Sequence, residues 1–146
     1  NNEYERLMSI NLSAPFSVVQ YLIPNMKKQK YGRIVNIASI WSEISKSGRS
    51  LYTTSKTGLV GFTRSMAVEY ASSNILVNAV SPGFTLTELT QQSLSDDEMK
   101  SLSSQIPMGR FAEPREVAKT VLFLCSNLNT YITGQNITID GGFTLV

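Results

Sequence analysis

The chain has 146 residues, of which 42% are hydrophobic and 16% are charged, and its formal net charge is +2. This length and composition are those of one globular domain with a real core, and they exclude a disordered chain or a coiled coil. Because the net charge is small and the basic residues are scattered, no nucleic-acid partner is expected. No apolar run is long enough to predict a membrane span, so no membrane partner is expected either.

Histidine is absent from the sequence, and cysteine occurs once, as Cys125. Without histidine, Ser-His-Asp and Cys-His catalytic arrangements are impossible within this chain. One cysteine excludes internal disulfides and cysteine-rich zinc sites, so no metal site is expected. Cys125 lies in an apolar stretch, and we expect it to be a small buried hydrophobic residue. A reducing, cytoplasmic setting fits this composition.

An amphipathic helix is predicted at the start of the chain. Apolar residues recur there at the three- and four-residue spacing of a helix face, namely Tyr4, Leu7, Met8, Leu12, Phe16, Val19 and Ile23. Pro15 should bend this helix or mark a break in it, and Pro24 lies near its end. Asn11 is a polar residue within this pattern. Its position suggests a helix kink in which its amide binds a loosened backbone carbonyl.

Two short buried strands are predicted at residues 34–38 and 75–80, because both runs are apolar on two faces, as in parallel sheets. A turn at residues 31–32 precedes the first strand, and a serine-rich loop over residues 40–50 follows it. A second helix is predicted from residue 51, with Ser50 as its N-cap. Its continuous apolar stripe comprises Leu59, Phe62, Met66 and Tyr70.

The last third of the chain begins with a polar stretch over residues 84–108, whose helical spacing is weak. This stretch is more typical of a mobile flap than of a core element. Pro114 stands at a first-turn position and predicts the start of a third helix. Residues 135–140 alternate as a final strand, which ends at Gly141 and Gly142.

This alternation of helices and strands predicts an α/β fold with right-handed crossovers, a parallel sheet and covering helices. Three strands make a thin sheet, and at least one of its edges should be unpaired. Ligands of open α/β sheets bind beyond the carboxyl ends of the strands. The loops that begin at Ser39 and at Pro82 should therefore lie side by side.

Tyr52 and Lys56 are four residues apart at the start of the second predicted helix, so they share one helical face. A nearby ammonium favours the ionised form of a phenol, which helps a phenol to exchange protons near neutral pH. The hydroxyl of Ser39, at the adjacent strand end, would hold a substrate oxygen. This arrangement suits carbonyl and alcohol chemistry. Spacing alone leaves a second interpretation open, an exposed helix pair without function.

Several segments, in chain order, resemble the short-chain dehydrogenase/reductase family. They are INL at 10–12, GRIVNIAS at 32–39, YTTSK at 52–56, NAVSPG at 78–83 and ITGQNITIDGG at 132–142. Linked motifs over nearly the whole chain are far more specific than any one of them. The resemblance implies a Rossmann-like doubly wound parallel sheet with covering helices.

By this resemblance, Tyr52 would be the general acid and base. Lys56 would favour its phenolate and bond the ribose of the nicotinamide nucleotide. Ser39 would orient the substrate carbonyl, and Asn11 would anchor a water of the proton relay. The implied cofactor is NAD or NADP.

The resemblance also implies a set of cofactor contacts after the second predicted strand. Pro82 and Gly83 would pack beside the nicotinamide. Thr85 would meet the carboxamide through its backbone, and the hydroxyl of Thr87 would reach the carboxamide or a phosphate. For Thr85 and Thr87, local capping of the chain remains an alternative.

Members of the family carry a first half with a glycine-rich turn that holds the pyrophosphate of the dinucleotide. No G-x-G-x-x-G occurs here, and Gly58 and Gly61 lie within a predicted helix, where they would permit close packing. The chain therefore resembles the carboxyl-terminal part of such an enzyme. Residues 1–146 would be the catalytic part of a single Rossmann-type domain, the second half of the fold.

The leading hypothesis is an NAD(P)-dependent oxidoreductase that interconverts a ketone and a secondary alcohol on a small-molecule substrate. A 3-oxoacyl-thioester reductase and a sugar or polyol dehydrogenase are both open. Candidate pocket residues are Trp41, Phe84, Leu86, Leu89 and Met108. The alternative is a truncated, catalytically incompetent fragment that only self-associates. In either case the first two helices present broad apolar faces, and the resemblance implies a homodimer or homotetramer, because family members pair such helices.

Overall fold

Helices and strands alternate along the chain in the computed structural model. The structure describes residues 2–146, and Asn1, the first residue of the predicted domain, lies outside the described residues. The helices are α1 (Asn2–Met8), α2 (Ala14–Gln29), α3 (Ser50–Tyr70), α4 (Glu88–Ser93), α5 (Asp96–Ser103) and α6 (Pro114–Cys125), and the strands are β1 (Gly32–Ile37), β2 (Ile75–Pro82) and β3 (Asn136–Ile139). None of the helices within residues 2–146 is long and apolar enough to cross a membrane.

The three strands form one parallel sheet in the order β1-β2-β3, which confirms the predicted partial Rossmann-like architecture. Gly32 pairs with Ile75, so β1 starts earlier than predicted and residue 32 belongs to the strand rather than to a turn. A Cβ at Gly32 would lie 2.8 Å from Met26 Sδ and 2.9 Å from Ile75 Cγ2. Glycine at this position therefore allows α2 to pack closely on the sheet.

β2 is the central strand and is buried at every position before Pro82. The main core cluster joins it to α2 and α3, through Val19, Ile23, Met66, Ala67, Tyr70, Ile75 and Val77. The prediction that β1 is buried on both faces is wrong at its end, because the side chain of Ile37 is 47% exposed. β1 is an edge strand within the described chain, so it lacks the cover that β2 receives.

The first predicted helix is interrupted by a π-helical turn at Ser9–Ser13, immediately before α2. The proline ring of Pro15 would clash with the carbonyl one turn earlier, and a widened turn relieves that clash. Asn11 lies within the turn, as the kink interpretation requires. Its amide Nδ2 donates to Ser55 Oγ at 3.1 Å, however, and not to a backbone carbonyl as predicted.

Two helix boundaries differ from the predictions. Ser50 is the first residue of α3 and not its N-cap, which is Arg49 and makes no side-chain capping bond. The segment 84–108 contains two helices, α4 and α5, which the prediction lacked. Their N-caps are Thr87 and Ser95, whose hydroxyls accept bonds from backbone N–H groups. Neither helix has a buried residue, so the apolar periodicity that would reveal them is weak.

Cys125 and Gly61 also differ from expectation. Cys125 is exposed, because Leu124 beside it points into the core and successive helix residues face different directions. Gly58 permits close packing as predicted, since a Cβ there would lie 3.1 Å from Leu12 Cδ2. Gly61 does not, because no atom within residues 2–146 would lie within 4 Å of its Cβ.

Candidate active site

A cleft of about 370 Å³ opens at the carboxyl ends of β1 and β2. It is lined by all but one of the predicted catalytic and cofactor-binding residues, namely Ser39, Tyr52, Lys56, Pro82, Gly83, Thr85 and Thr87. The loops after β1 and β2 thus lie side by side, as expected from the parallel sheet. The exception is Asn11.

Ser39 lies just beyond β1 and is held firmly in place. The bond from Ala38 N to Val80 O, at 2.7 Å, continues the ladder one residue past the strand. Ser39 then begins a 3₁₀ turn over Ile40–Ser42, with its Oγ accepting from Trp41 N at 3.3 Å. That contact occupies an acceptor position of the hydroxyl. Its O–H hydrogen remains free to donate to an oxygen in the cleft.

Tyr52 and Lys56 lie one turn apart on α3, with Lys56 Nζ 5.7 Å from the centre of the Tyr52 ring. Lys56 Nζ also donates to Ile37 O at 2.9 Å, which ties α3 to the end of β1. Burial lowers the pKa of the Lys56 ammonium, because desolvation disfavours its charged form. An ammonium has three donors, so two remain for a ligand in the cleft.

Asn11 reaches the site indirectly. It donates to Ser55 Oγ, and Ser55 Oγ donates in turn to Tyr52 O at 2.8 Å. Asn11 and Tyr52 both line a second cavity of about 270 Å³, bounded by Glu3 and Arg6 of α1. The structure therefore brings Asn11 next to the turn that carries Tyr52, but not into the cleft with Ser39 and Lys56.

Gly83 follows β2 and fits only as glycine. Its N–H donates to Ile139 O at 2.9 Å. A Cβ on Gly83 would lie 2.8 Å from Asp140 Cβ and 2.9 Å from Asp140 Cα. This close approach to the end of β3 fixes the position of the loop that carries Pro82 and Thr85 into the cleft.

Thr85 and Thr87 make local bonds of the kind that the capping alternative describes. Thr85 Oγ1 donates to Gly83 O at 3.1 Å. Thr87 Oγ1 accepts from Thr90 N at 3.2 Å and so caps α4. Thr90 Oγ1 donates to Thr85 O at 2.9 Å, which joins the two threonines to the start of the helix.

Pro114 and Val117 of α6, together with Ile37, also line the cleft and were missed by sequence reasoning. In the sequence they look like ordinary helix and strand residues, and no local signal separates them. The five candidate pocket residues, by contrast, are not among the described residues that line this cleft. One of them, Phe84, instead packs against the rings of Phe111 and Phe143.

Comparison with known proteins gives consistent matches. A family model described as Enoyl-(Acyl carrier protein) reductase matches residues 1–144. The chain is 47% identical over 140 residues to a 3-oxoacyl-(acyl-carrier-protein) reductase of Aquifex aeolicus, covering 96% of this chain and 56% of that protein. It is 40% identical to an acetoacetyl-CoA reductase of an Acinetobacter strain, again covering 96% and 56%.

A solved structure shares the fold closely. It is a gluconate 5-dehydrogenase from Burkholderia cenocepacia in complex with NADP and tartrate, with a TM-score of 0.94 and 28% identity. The match covers 100% of this chain and 58% of that structure. The chain thus spans somewhat more than half the length of the relatives it matches.

Proposed function

Because the chain belongs to the short-chain dehydrogenase/reductase family, we propose that it is the carboxyl-terminal, catalytic part of an NAD(P)-dependent oxidoreductase that interconverts a ketone and a secondary alcohol. The observation that carries the proposal is the single cleft shared by Ser39, Tyr52 and Lys56. It combines a hydroxyl, a phenol and an ammonium at the carboxyl ends of parallel strands, where α/β folds bind ligands.

Each of these groups has a distinct task in ketone reduction. Tyr52 gives its phenolic proton to the carbonyl oxygen of the substrate, and in the reverse direction its phenolate removes the proton of the alcohol. The Lys56 ammonium stabilises that phenolate. Ser39 donates its free hydroxyl hydrogen to the same oxygen and so fixes the carbonyl. Asn11 steadies the turn that carries Tyr52 and would hold a water of the proton relay.

The residues around the cleft fit the nicotinamide end of NAD or NADP. Ile37 offers a half-exposed apolar surface at the cleft wall, and Pro82 and Gly83 bring backbone close to it. The two remaining donors of Lys56 suit ribose hydroxyls, and Thr85 and Thr87 also line the cleft. When bound, the reduced nicotinamide supplies the hydride.

The relatives favour a 3-oxoacyl thioester as the ketone substrate. Identity is 47% to the 3-oxoacyl-(acyl-carrier-protein) reductase and 40% to the acetoacetyl-CoA reductase, against 28% to the gluconate 5-dehydrogenase. A sugar or polyol dehydrogenase is the second candidate, supported by the TM-score of 0.94 to the gluconate enzyme.

A substrate panel on the protein expressed from its complete reading frame tests this proposal. We expect acetoacetyl-CoA to oxidise NADPH or NADH, whereas gluconate with NAD or NADP gives little turnover. The opposite pattern would make the sugar or polyol assignment the right one. Turnover of neither class, with no saturable cofactor binding by fluorescence titration, would favour the incompetent fragment.

Self-association is part of the proposal, as a homodimer or homotetramer. The outer faces of α2 and α3 expose large apolar side chains, including Phe16 at 47%, Tyr21 at 86% and Val68 at 85%. Light scattering coupled to gel filtration should give a mass of two or four chains, and a monomer at micromolar concentration would refute this part. A cytoplasmic location is likewise proposed, with cell fractionation as its test.

A further inference from the structure

A polar network joins the loop after β1 to strands β2 and β3, and the proposed chemistry makes no use of it. Its members are Ser42, Glu43, Ser81, Asn136 and Thr138. Ser81 is completely buried and immediately precedes Pro82 in β2. Ser42 closes the 3₁₀ turn that begins at Ser39. The network therefore links the serine loop, the end of β2 and the start of β3.

The donors and acceptors of this network run in one direction. Ser81 Oγ donates to Asn136 Oδ1 at 2.8 Å. The two hydrogens of Asn136 Nδ2 point to Glu43 Oε1 at 2.9 Å and to Ser42 Oγ at 3.4 Å. Ser42 Oγ then donates to Ser39 O at 2.7 Å. The chain of bonds ends on the backbone of the residue that faces the substrate.

Glu43 sets this direction. An ionised carboxylate only accepts hydrogen bonds, so it must face the NH₂ group of the Asn136 amide and not its oxygen. Glu43 Oε1 also accepts from Thr138 Oγ1 at 2.6 Å, which holds the carboxylate against β3. With the amide turned in this way, its oxygen is left for Ser81 and its second hydrogen for Ser42.

We propose that Asn136, oriented by Glu43, is a positioning residue for Ser39. Asn136 touches neither the cleft nor the reacting atoms. It acts through Ser42, which bonds the Ser39 carbonyl and so fixes the backbone from which the Ser39 hydroxyl projects. This inference rests on the proposed function, since it assumes that Ser39 holds the substrate oxygen.

A double-mutant cycle on the protein from its complete reading frame tests the inference, with acetoacetyl-CoA as the probe. Removing one hydrogen-bond donor to a reacting oxygen costs about 10²–10³-fold in kcat, which is the expectation for Ser39→Ala. Asn136→Ala should lower kcat about tenfold, because a small shift of the Ser39 hydroxyl should cost less than the ~10²-fold loss that a 1 Å misplacement causes. The adjacent variant Gln135→Ala should leave kcat unchanged, because the Gln135 side chain bonds only Thr133 O within the described residues.

The decisive comparison is Asn136→Ala in the Ser39→Ala background. If Asn136 acts through Ser39, the double variant has the kcat of Ser39→Ala alone, because the hydroxyl being positioned is gone. If the two losses multiply, or if Asn136→Ala alone has the parent kcat, Asn136 does not position Ser39 and the inference is wrong.

A polarity exchange gives a second test that also serves if Asn136→Ala fails to fold. Asn136→Asp removes the NH₂ donor to Ser42 and places a carboxylate against Glu43, so it should lower kcat at least as much as Asn136→Ala does. Adding Glu43→Gln supplies an NH₂ donor to the new carboxylate and should recover stability, but kcat should stay low because residue 136 still cannot donate to Ser42. Recovery of the parent kcat in this double variant would show that the donor to Ser42 is not needed, and the positioning role would be wrong.

The two levels of the proposal fail in different ways. Full turnover in both Tyr52→Phe and Ser39→Ala would defeat the proposed function itself. Large losses in those two variants, together with multiplying losses in the cycle, would leave the proposed function standing and defeat only the positioning role of Asn136.

Discussion

The cleft and the α4–α5 segment differ in where their hydrogen bonds come from. Around the cleft, side chains bond across long stretches of sequence, as in the contacts from Lys56 to Ile37 and from Asn136 to Ser42. In α4 and α5 the side-chain bonds stay local, as in the pair of Ser95 with Glu98 and the bond from Thr90 to Thr85. The frame of the cleft, meaning the residues that hold its lining in place, is thus stabilised by bonds between distant segments. The helices α4 and α5 are stabilised mainly by bonds within their own segment.

The same contrast holds for burial. Ser39, Ser55 and Ser81 are buried polar residues around the cleft, and each has a hydrogen-bond partner. Neither α4 nor α5 buries a residue. Segments with few buried contacts unfold locally at a low free-energy cost, whereas the loss of a contact in the core lowers the stability of the whole fold. The proposed catalytic residues therefore lie on the buried part of the molecule, and α4 reaches the cleft only through its N-cap, Thr87, within the described residues.

The largest expected effect lies within the cleft. Tyr52→Phe should lower kcat by ~10²–10⁴-fold, because it removes the proton donor while keeping the aromatic ring. Steady-state kinetics with acetoacetyl-CoA measure the loss, and circular dichroism checks that the fold is retained. A folded variant with parent activity would show that Tyr52 is not the general acid.

The next effect concerns the frame that supports the cleft. Gly83→Ala places a Cβ 2.8 Å from Asp140 Cβ and 2.9 Å from its Cα, so the backbone must move. We expect the free energy of unfolding to fall by ~1–3 kcal/mol, the usual cost of overpacking, and turnover to fall with it.

Gly61→Ala is the matched control, since its Cβ would meet nothing within 4 Å in the described chain. Replacing an exposed helix glycine by alanine should stabilise α3 by ~0.5–1 kcal/mol. Chemical denaturation measures both variants. Equal destabilisation by the two substitutions would contradict the distinction between these glycines.

A third variant tests the buried polar part of the frame away from the cleft. Thr63 Oγ1 accepts from Asn36 Nδ2 at 2.9 Å, and both residues are buried. Thr63→Ala leaves that amide without its partner and should lower the free energy of unfolding by ~1–3 kcal/mol. Thr63→Ser keeps the hydroxyl and should lose clearly less. If serine and alanine destabilise equally, the hydrogen bond contributes nothing.

Lys56 offers a pH-dependent test of the frame. Burial lowers its pKa from the ordinary 10.5. Below the lowered pKa, the folded protein bears the cost of desolvating an ammonium, and this cost disappears as pH rises through the lowered pKa towards 10.5. Lys56→Met should therefore lose turnover, and its Tm relative to the parent should fall as pH rises through the lowered pKa towards 10.5. A difference in Tm that is constant with pH would exclude desolvation as the cause.

The smallest effect is expected in α5. Ser95 and Glu98 form a capping box at its start, and Ser95→Ala should destabilise this helix locally by ~1 kcal/mol. Amide hydrogen exchange of residues 96–103 should quicken, with no change in global Tm or turnover. Ser93→Ala, at the end of α4, is the control. A fall in global Tm on Ser95→Ala would show that α5 is coupled to the frame more tightly than its bonds suggest.

The sequence by itself determined the α/β class, the parallel sheet and seven of the residues that line the cleft. The strand at residues 75–80 can be predicted because burial on two faces leaves a run of apolar residues. The run at residues 34–38 is apolar as well, although β1 is exposed at its end. The proximity of Tyr52 and Lys56 can be predicted because residues four apart on a helix lie on the same face. The side-by-side loops follow from the parallel strands alone.

Tertiary structure decided what depends on neighbours distant in sequence. The residues next to Gly83 in the sequence do not indicate that Asp140 excludes a Cβ there. The residues next to Ser42 do not indicate that its hydroxyl contacts Asn136. The exposure of Cys125 and of Ile37 depends on which faces the other elements leave uncovered. Such properties arise from packing between segments far apart in the chain, and a local pattern of residues does not encode them.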